Sequence, residues 1–152
     1  MSSLELKVPP PVVGLAAMAA MYGISRIDPS IPAGADHAFA ATIIALGGLG
    51  VDIAGILAFR RAKTTVNPLK PDNTTSLVVT GVYRITRNPM YSGLLLLLVA
   101  WAVYLASPWS LVGPLAFVLF INRFQITPEE RILEQRFGDD FLRYKKKVKR
   151  WL

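Results

Sequence analysis

The stretch PMYSGLLLLLVAWAVYLASPWSLVGPLAFVLFI, residues 89–121, contains no Asp, Glu, Lys or Arg and is broken at Ser107-Pro108. A helix crossing the hydrocarbon core of a bilayer needs about 20 apolar residues, with ~17 to 25 observed. Met90–Ala106 reaches the lower limit, and Trp109–Ile121 falls short unless Asn122 to Phe124 extend it. The Ser107-Pro108 break leaves no room for a loop, so the two helices fold back as a tight hairpin. Pro114, with Gly113, predicts a local kink in the second arm, because proline removes an N–H and crowds the preceding turn.

Outward from the hairpin, Val8–Ile24 carries no charged residue and Ala38–Phe59 carries only Asp52. The expectation is an all-α, polytopic membrane protein of about four transmembrane helices, closed by a C-terminal cytoplasmic interfacial helix. Composition agrees. Of the 152 residues, 53% are hydrophobic and 18% charged, against roughly 25% charged in an average soluble domain. A water-soluble fold this small could not hide so much apolar surface. The length suits one domain spanning residues 1–152. With no cysteine and a single histidine, His37, thiolate or multi-histidine metal sites, disulfides and a cysteine nucleophile are all excluded.

The net charge of +7 could mark a nucleic-acid partner, but its distribution argues for a membrane. Only Arg26 lies between the first and second runs; the other Lys and Arg residues precede the first run, follow the second or follow the fourth. The positive-inside rule then places both termini and the 60–88 loop in the cytoplasm, as in a multi-pass protein of the cell inner membrane. Trp101, Tyr104, Trp109 and Trp151 are suited to anchor the ends at the interface.

Two polar blocks, at about 80–93 and 126–150, hold the side chains able to do chemistry. In the first, Gly81 permits backbone that other residues avoid, and Pro89 fits the first turn of a helix. The N–H groups of Met90, Tyr91 and Ser92 then present the positive end of a helix dipole, which favours an anionic ligand group. In the second, Thr127 reads as an N-cap, Pro128 as the first helical residue and Glu130 as the third, the pattern of a capping box. Ile132, Leu133, Phe137, Phe141, Tyr144 and Val148 draw one face of an interrupted amphipathic helix along the interface. Asp52 stands apart: a carboxyl inside an apolar run is a functional hypothesis by default, unless a helix neighbour such as Asn122 satisfies it.

Taken together, Gly81, Tyr83, Arg87, Asn88, Pro89 and Tyr91 before the hairpin, and Glu129, Glu130, Leu133, Phe137, Gly138, Phe141 and Tyr144 after it, resemble the isoprenylcysteine carboxyl methyltransferases, to which phospholipid N-methyltransferases are related. Asn88 stands where the eukaryotic carboxyl methyltransferases have His, and the chain looks like a bacterial-type member. The resemblance covers roughly residues 48–152. It implies S-adenosyl-L-methionine (SAM) as methyl donor and a lipidic or prenylated acceptor entering from the bilayer. Carried over by position, Gly81, Tyr83, Arg87, Asn88, Pro89, Tyr91, Glu130, Phe137 and Tyr144 bind the cofactor, and Glu129, Glu130 and Arg87 are the catalytic candidates.

The physical chemistry of the residues is compatible. The methionine carboxylate needs a donor, supplied by Arg87 and the start of the third helix. The ammonium and ribose hydroxyls need acceptors, for which Glu130 is the first choice, and Tyr91 with Phe137 or Tyr144 offers a slot for adenine. No Gly-x-Gly-x-x-Gly occurs, so the site is not a Rossmann one. Methylation of a carboxylate is favoured, with Lys147 or Arg150 to orient it, while an amine acceptor would require Glu129 or Glu130 to take a proton. Two other readings stand beside this one: an NADPH-dependent membrane reductase of the sterol-reductase type, and a non-enzymatic helical scaffold or carrier.

Overall fold

The computed structural model describes residues 4–27, 34–62 and 76–152. It contains α1 (Pro10–Ile27), α2 (Ala35–Arg61), α3 (Pro89–Leu105), α4 (Val112–Ile121), α5 (Thr127–Phe137) and α6 (Asp139–Lys147). Short 3-10 turns at Gly81–Arg84 and Pro108–Leu111 precede α3 and α4. Among the described residues the β structure is limited to an isolated parallel bridge between Thr86 and Lys149. Three helical runs, Pro10–Ile27, Ala35–Arg61 and Pro108–Phe137, are long and apolar enough to cross a membrane, and Pro89–Leu105 is a shorter apolar helix.

Small residues set the helix packing. A Cβ on Gly48 of α2 would lie 2.9 Å from the Gly93 carbonyl oxygen of α3, and one on Gly55 would lie 3.1 Å from Met90 Cγ. The α2–α3 pair is therefore close-packed along its length. On the other side of α3, Met21, Tyr91, Leu98, Ala102, Phe117, Ile121 and Ile126 form the main core, joining α1, α3 and α4. Much of the remaining apolar surface faces outward, for example Leu15, Phe39, Ile43, Leu46, Leu115 and Leu119. Such a surface is unfavourable in water and suits a hydrocarbon surround.

The hairpin forms as the sequence indicates: α3 ends at Leu105, Ala106 adopts a left-handed conformation (φ 50°, ψ 31°), and Pro108 opens the next turn. The kink expected at Pro114 is absent as a mid-helix event, because α4 begins at Val112 and Pro114 lies in its first turn. There its missing N–H has no helical partner to lose.

The capping box at Thr127 is not formed. Ile126 and Thr127 keep helical dihedrals, and a π turn over Asn122–Ile126 carries α4 directly into α5. The Thr127 hydroxyl donates to the Asn122 carbonyl (2.7 Å) instead of capping an N–H. Proline in a helix clashes with the carbonyl four residues earlier, which for Pro128 is that of Phe124. The wider turn removes this clash, and the Phe124 oxygen accepts the Leu6 N–H at 3.0 Å. Gln125 ties the same N-terminal strap down by donating to the Val8 carbonyl at 2.6 Å. The spanning part of this run ends near Ile126, and the polar α5 projects beyond it. The break between α5 and α6 occurs at Gly138, whose φ of 50° favours glycine.

Candidate functional site

The two polar blocks meet through a clasp built on Arg87. Backbone pairing starts it: the Arg87 N–H donates to the Lys149 carbonyl at 2.9 Å. The Thr86 hydroxyl and the Asn88 amide both donate to the Arg150 carbonyl, at 3.0 and 2.9 Å. The Arg87 guanidinium donates to the carbonyls of Lys145 (2.9 Å) and Val148 (2.5 Å), and to Glu130 Oε1 (2.8 Å). It thereby satisfies carbonyls at the C-terminus of α6, where a cation is also favoured by the helix dipole.

Glu130 is held from a second side. Arg150 donates to Glu130 Oε1 (3.1 Å) and Oε2 (2.7 Å), and also to Asn122 Oδ1 (3.4 Å). Trp151 donates its indole N–H to the same Asn122 oxygen at 3.2 Å. Burial alone would raise the Glu130 carboxyl, but the hydrogen bonds and charges of Arg150 and Arg87 hold it below the ordinary carboxylate range. Asn122 is thus spoken for by the C-terminal tail, not by Asp52.

Glu129 differs from its neighbour. Its Oε1 accepts the Tyr91 hydroxyl at 2.5 Å. Burial pushes its carboxyl up to about 8; the Tyr91 hydrogen bond works against this shift and the charge of Glu130 adds to it. Tyr83 packs edge-on against Phe59, with ring centroids 5.3 Å apart, and its carbonyl accepts the Tyr144 hydroxyl at 2.7 Å. Burial pushes both phenols, Tyr83 and Tyr144, to higher values.

Beside the clasp lies a cavity of about 550 Å³ between the segment 77–84 and α6. Leu77, Val79, Val148 and Tyr144 supply apolar wall, and Arg84, Asp140, Arg143 and Lys147 supply charge. Arg143 and Asp140 pair with one another.

The expected residues are distributed over three places. Arg87, Asn88 and Glu130 belong to the clasp, with Arg87 and Glu130 directed at the protein's own groups. Tyr91 and Glu129 pair at the N-terminal end of α3, where Pro89 lies against Gly55 of α2. Of the residues expected to bind the cofactor, Tyr144 lines the cavity, while Gly81 turns the chain at φ 60° beside it. Phe137 ends α5 half-buried and joins neither clasp nor cavity wall. The sequence reading missed Thr86 and Lys145, and it gave Arg150 to the acceptor and Asn122 to Asp52. A signal was present in part: a basic run from Lys145 to Arg150, at the end of α6 and just beyond it, in the same chain as a carboxyl, Glu130, that needs counter-charges once buried.

A model of a family described as phospholipid methyltransferase matches residues 36–140. An uncharacterized protein of Haemophilus influenzae is 51% identical over 63 residues, which are 41% of this chain and 100% of that protein. Protein-S-isoprenylcysteine O-methyltransferase B of Arabidopsis thaliana is 33% identical over 113 residues, 72% of this chain and 55% of that protein. A probable protein-S-isoprenylcysteine O-methyltransferase of Oryza sativa subsp. indica is 38% identical over 91 residues, 58% of this chain and 46% of that protein. The chain spans about half the length of these plant relatives. No solved structure matches it. The matched region runs from the start of α2 to the start of α6, taking in the first polar block and the second as far as residue 140, and on that ground the chain belongs to the phospholipid methyltransferase family.

Proposed function

We propose that the protein is an integral membrane methyltransferase that uses SAM and acts, at the cytoplasmic face, on a lipidic or isoprenoid-linked acceptor. The observation that carries this reading is the open cleft of about 550 Å³ between the segment 77–84 and α6, beside the clasp that holds the two blocks together. Its lining fits the donor's chemistry. Leu77, Val79, Val148 and the Tyr144 ring form a slot for adenine. Arg84 and Lys147 suit the methionine carboxylate, and Asp140 suits the ammonium or the ribose hydroxyls.

When bound, SAM supplies a methyl group on a sulfonium centre that a nucleophile displaces in line, the C–S bond breaking with its electron pair going to sulfur. The chain's own task is alignment and exclusion of water, where effective molarity contributes roughly 7 to 11 kcal/mol. Arg87 and Glu130 do this indirectly, as positioning residues that lock α6 over the segment 77–84. A carboxylate acceptor arrives without a proton. An amine must lose one, and Glu129 is the candidate acceptor; burial raises its carboxyl to about 8, so it becomes available as a base only as pH approaches that value. Sixteen of the seventeen Lys and Arg residues lying on one side of the span map support cytoplasmic termini.

Calorimetry of the detergent-purified protein with SAM, its demethylated product and NADPH tests the reading. Micromolar binding of the first two, weakened at least tenfold by Tyr144→Ala, is the expected result. Tight NADPH binding without SAM binding would favour the reductase instead.

A further inference from the structure

Residues 4–9, which lead into α1, run against the π turn between α4 and α5 and are tied to it and to α5 at three points. The Leu6 N–H donates to the Phe124 carbonyl at 3.0 Å, the Gln125 amide donates to the Val8 carbonyl at 2.6 Å, and Arg131 donates to Glu5 Oε2 at 3.1 Å. The first two ties fall within the π turn, and the third falls on α5 directly after Glu130. Between them stand Pro128, Glu129 and Glu130. The strap therefore clamps both ends of the run that carries the acidic pair.

Two features mark the strap as built for this contact. The Glu5 side chain is only 3% exposed, while its neighbour Leu4 is 44% exposed. That inverts the ordinary preference, in which a carboxylate stays in water and a leucine leaves it. A buried carboxylate is tolerated when it is paired and hydrogen-bonded, as Glu5 is by Arg131. Leu6 takes a φ of 57°, a left-handed conformation that L side chains rarely adopt. Backbone in such a region persists where its surroundings over-determine it, and here the Phe124 carbonyl is part of the constraint. Pro128 has no N–H to offer that oxygen, so the strap supplies the donor that the helix lacks. The strap also precedes residues 36–140, the region that matches the family, so this clamp on the acidic pair comes from outside that region.

We propose that Glu5 is a positioning residue for the methyl-transfer site: through Arg131, and with the Leu6 N–H on the Phe124 carbonyl, it fixes the rotation of the start of α5 so that Glu129 meets Tyr91 and Glu130 meets Arg87. The proposal rests on the methyltransferase reading and deepens it. A helix turns about 100° per residue, so a slip at residues 127–130 takes Glu129 from its 2.5 Å bond and Glu130 from two guanidinium groups at once. Arg87 holds Glu130 with the same guanidinium that satisfies the carbonyls at the end of α6. The slip thus reaches the wall of the cleft, although Glu5 does not line it.

The test uses the full chain in detergent micelles, with carbon-13 at Cζ of its tyrosines, at a temperature well below unfolding. Tyr91→Phe identifies the Tyr91 signal among the five tyrosines, and its chemical shift reports the hydrogen bond to Glu129. Glu5→Gln is expected to move that signal and to weaken SAM binding, measured by calorimetry, about tenfold. Adding Arg131→Gln to it should change neither reading further, because both substitutions act through one ion pair. A folded Glu5→Gln protein that keeps the wild-type value in either reading, whatever its Tm, overturns the proposal and leaves the strap a stabilising contact. If Glu5→Gln fails to fold, Arg131→Gln alone, which alters the half-exposed partner, decides by the same two readings. Wild-type protein that binds no SAM overturns the methyltransferase reading instead, and the Tyr91 signal still decides whether Glu5 sets the register of the pair.

Discussion

Arg87 and Glu130, 43 residues apart in sequence, form an ion pair of 2.8 Å in which each side chain is about 10% exposed. The pair joins the segment before α3 to the helix after α4, and Arg150 closes it from the other side. Buried charges of this kind stabilise little relative to apolar replacements, but they are expensive to break singly. The clasp is accordingly a device for holding two blocks in register.

Breaking it from one side should loosen the packing of the two polar blocks. Arg87→Ala leaves Glu130 with Arg150 as its near partner and leaves the Lys145 and Val148 carbonyls without the guanidinium. The expected cost is about 3–5 kcal/mol, or a fall in Tm of ~6–20 °C for a chain of this size. Thermal unfolding in detergent measures it. A fall below about 2 °C would mean that the pair holds nothing together.

Filling the cavity should separate ligand binding from stability. Val79 is exposed at its rim, so Val79→Phe adds bulk inside the proposed adenine slot without burying a new polar group. SAM affinity should fall at least tenfold, with Tm changed by less than ~3 °C, a surface-type effect. Unchanged affinity by calorimetry would move the cofactor elsewhere.

How much of this arrangement was written locally in the chain differs by level. The spans and the Ser107-Pro108 hairpin were legible because hydrocarbon imposes length and apolarity, and both are read residue by residue. The clasp was not, because Thr86, Arg87 and Asn88 find their partners near residue 150, through contacts no local pattern encodes. Thr127-Pro128-Glu129-Glu130 misled for a specific reason. Locally it is a sound helix start, but a π turn and the Leu6 strap let the preceding helix continue through it. Glu130 was singled out for its chemistry, and its two guanidinium partners turn it inward, toward the protein's own groups.

The acidic pair should give opposite pH dependences. Glu130 is held below its ordinary 4.5, so its contribution is complete above that value and lost as pH falls below it. Glu129 is raised from 4.5 to about 8, so the fold favours its protonated form. That contribution is present below 4.5 and is lost as pH rises from there to about 8. Tm measured from pH 3.5 to 9 should show Glu130→Gln flattening the acid limb and Glu129→Gln flattening the decline toward pH 8. Parallel curves for both variants and the wild type would contradict the assignment.

The π turn should matter more for register than for stability. It exists because Pro128 crowds the Phe124 carbonyl, which Leu6 then satisfies at 3.0 Å. Pro128→Ala restores the N–H and removes the clash, allowing an ordinary α turn in its place. Losing the extra residue of the wide turn rotates everything after it by about 100°, carrying Glu129 and Glu130 away from Tyr91 and Arg87. Against this rotation stand the Tyr91 bond and the three guanidinium bonds to Glu130, so the variant trades helix regularity against the clasp. The expected outcome is a Tm within ~4 °C of wild type, since the two effects oppose, with SAM affinity lowered at least tenfold as α6 loses its register over the segment 77–84. If Pro128→Ala keeps full affinity while an Asn122→Ala variant, which removes the anchor for Arg150 and Trp151, also keeps it, then the turn and tail are incidental to the site and the cavity is held by α6 alone.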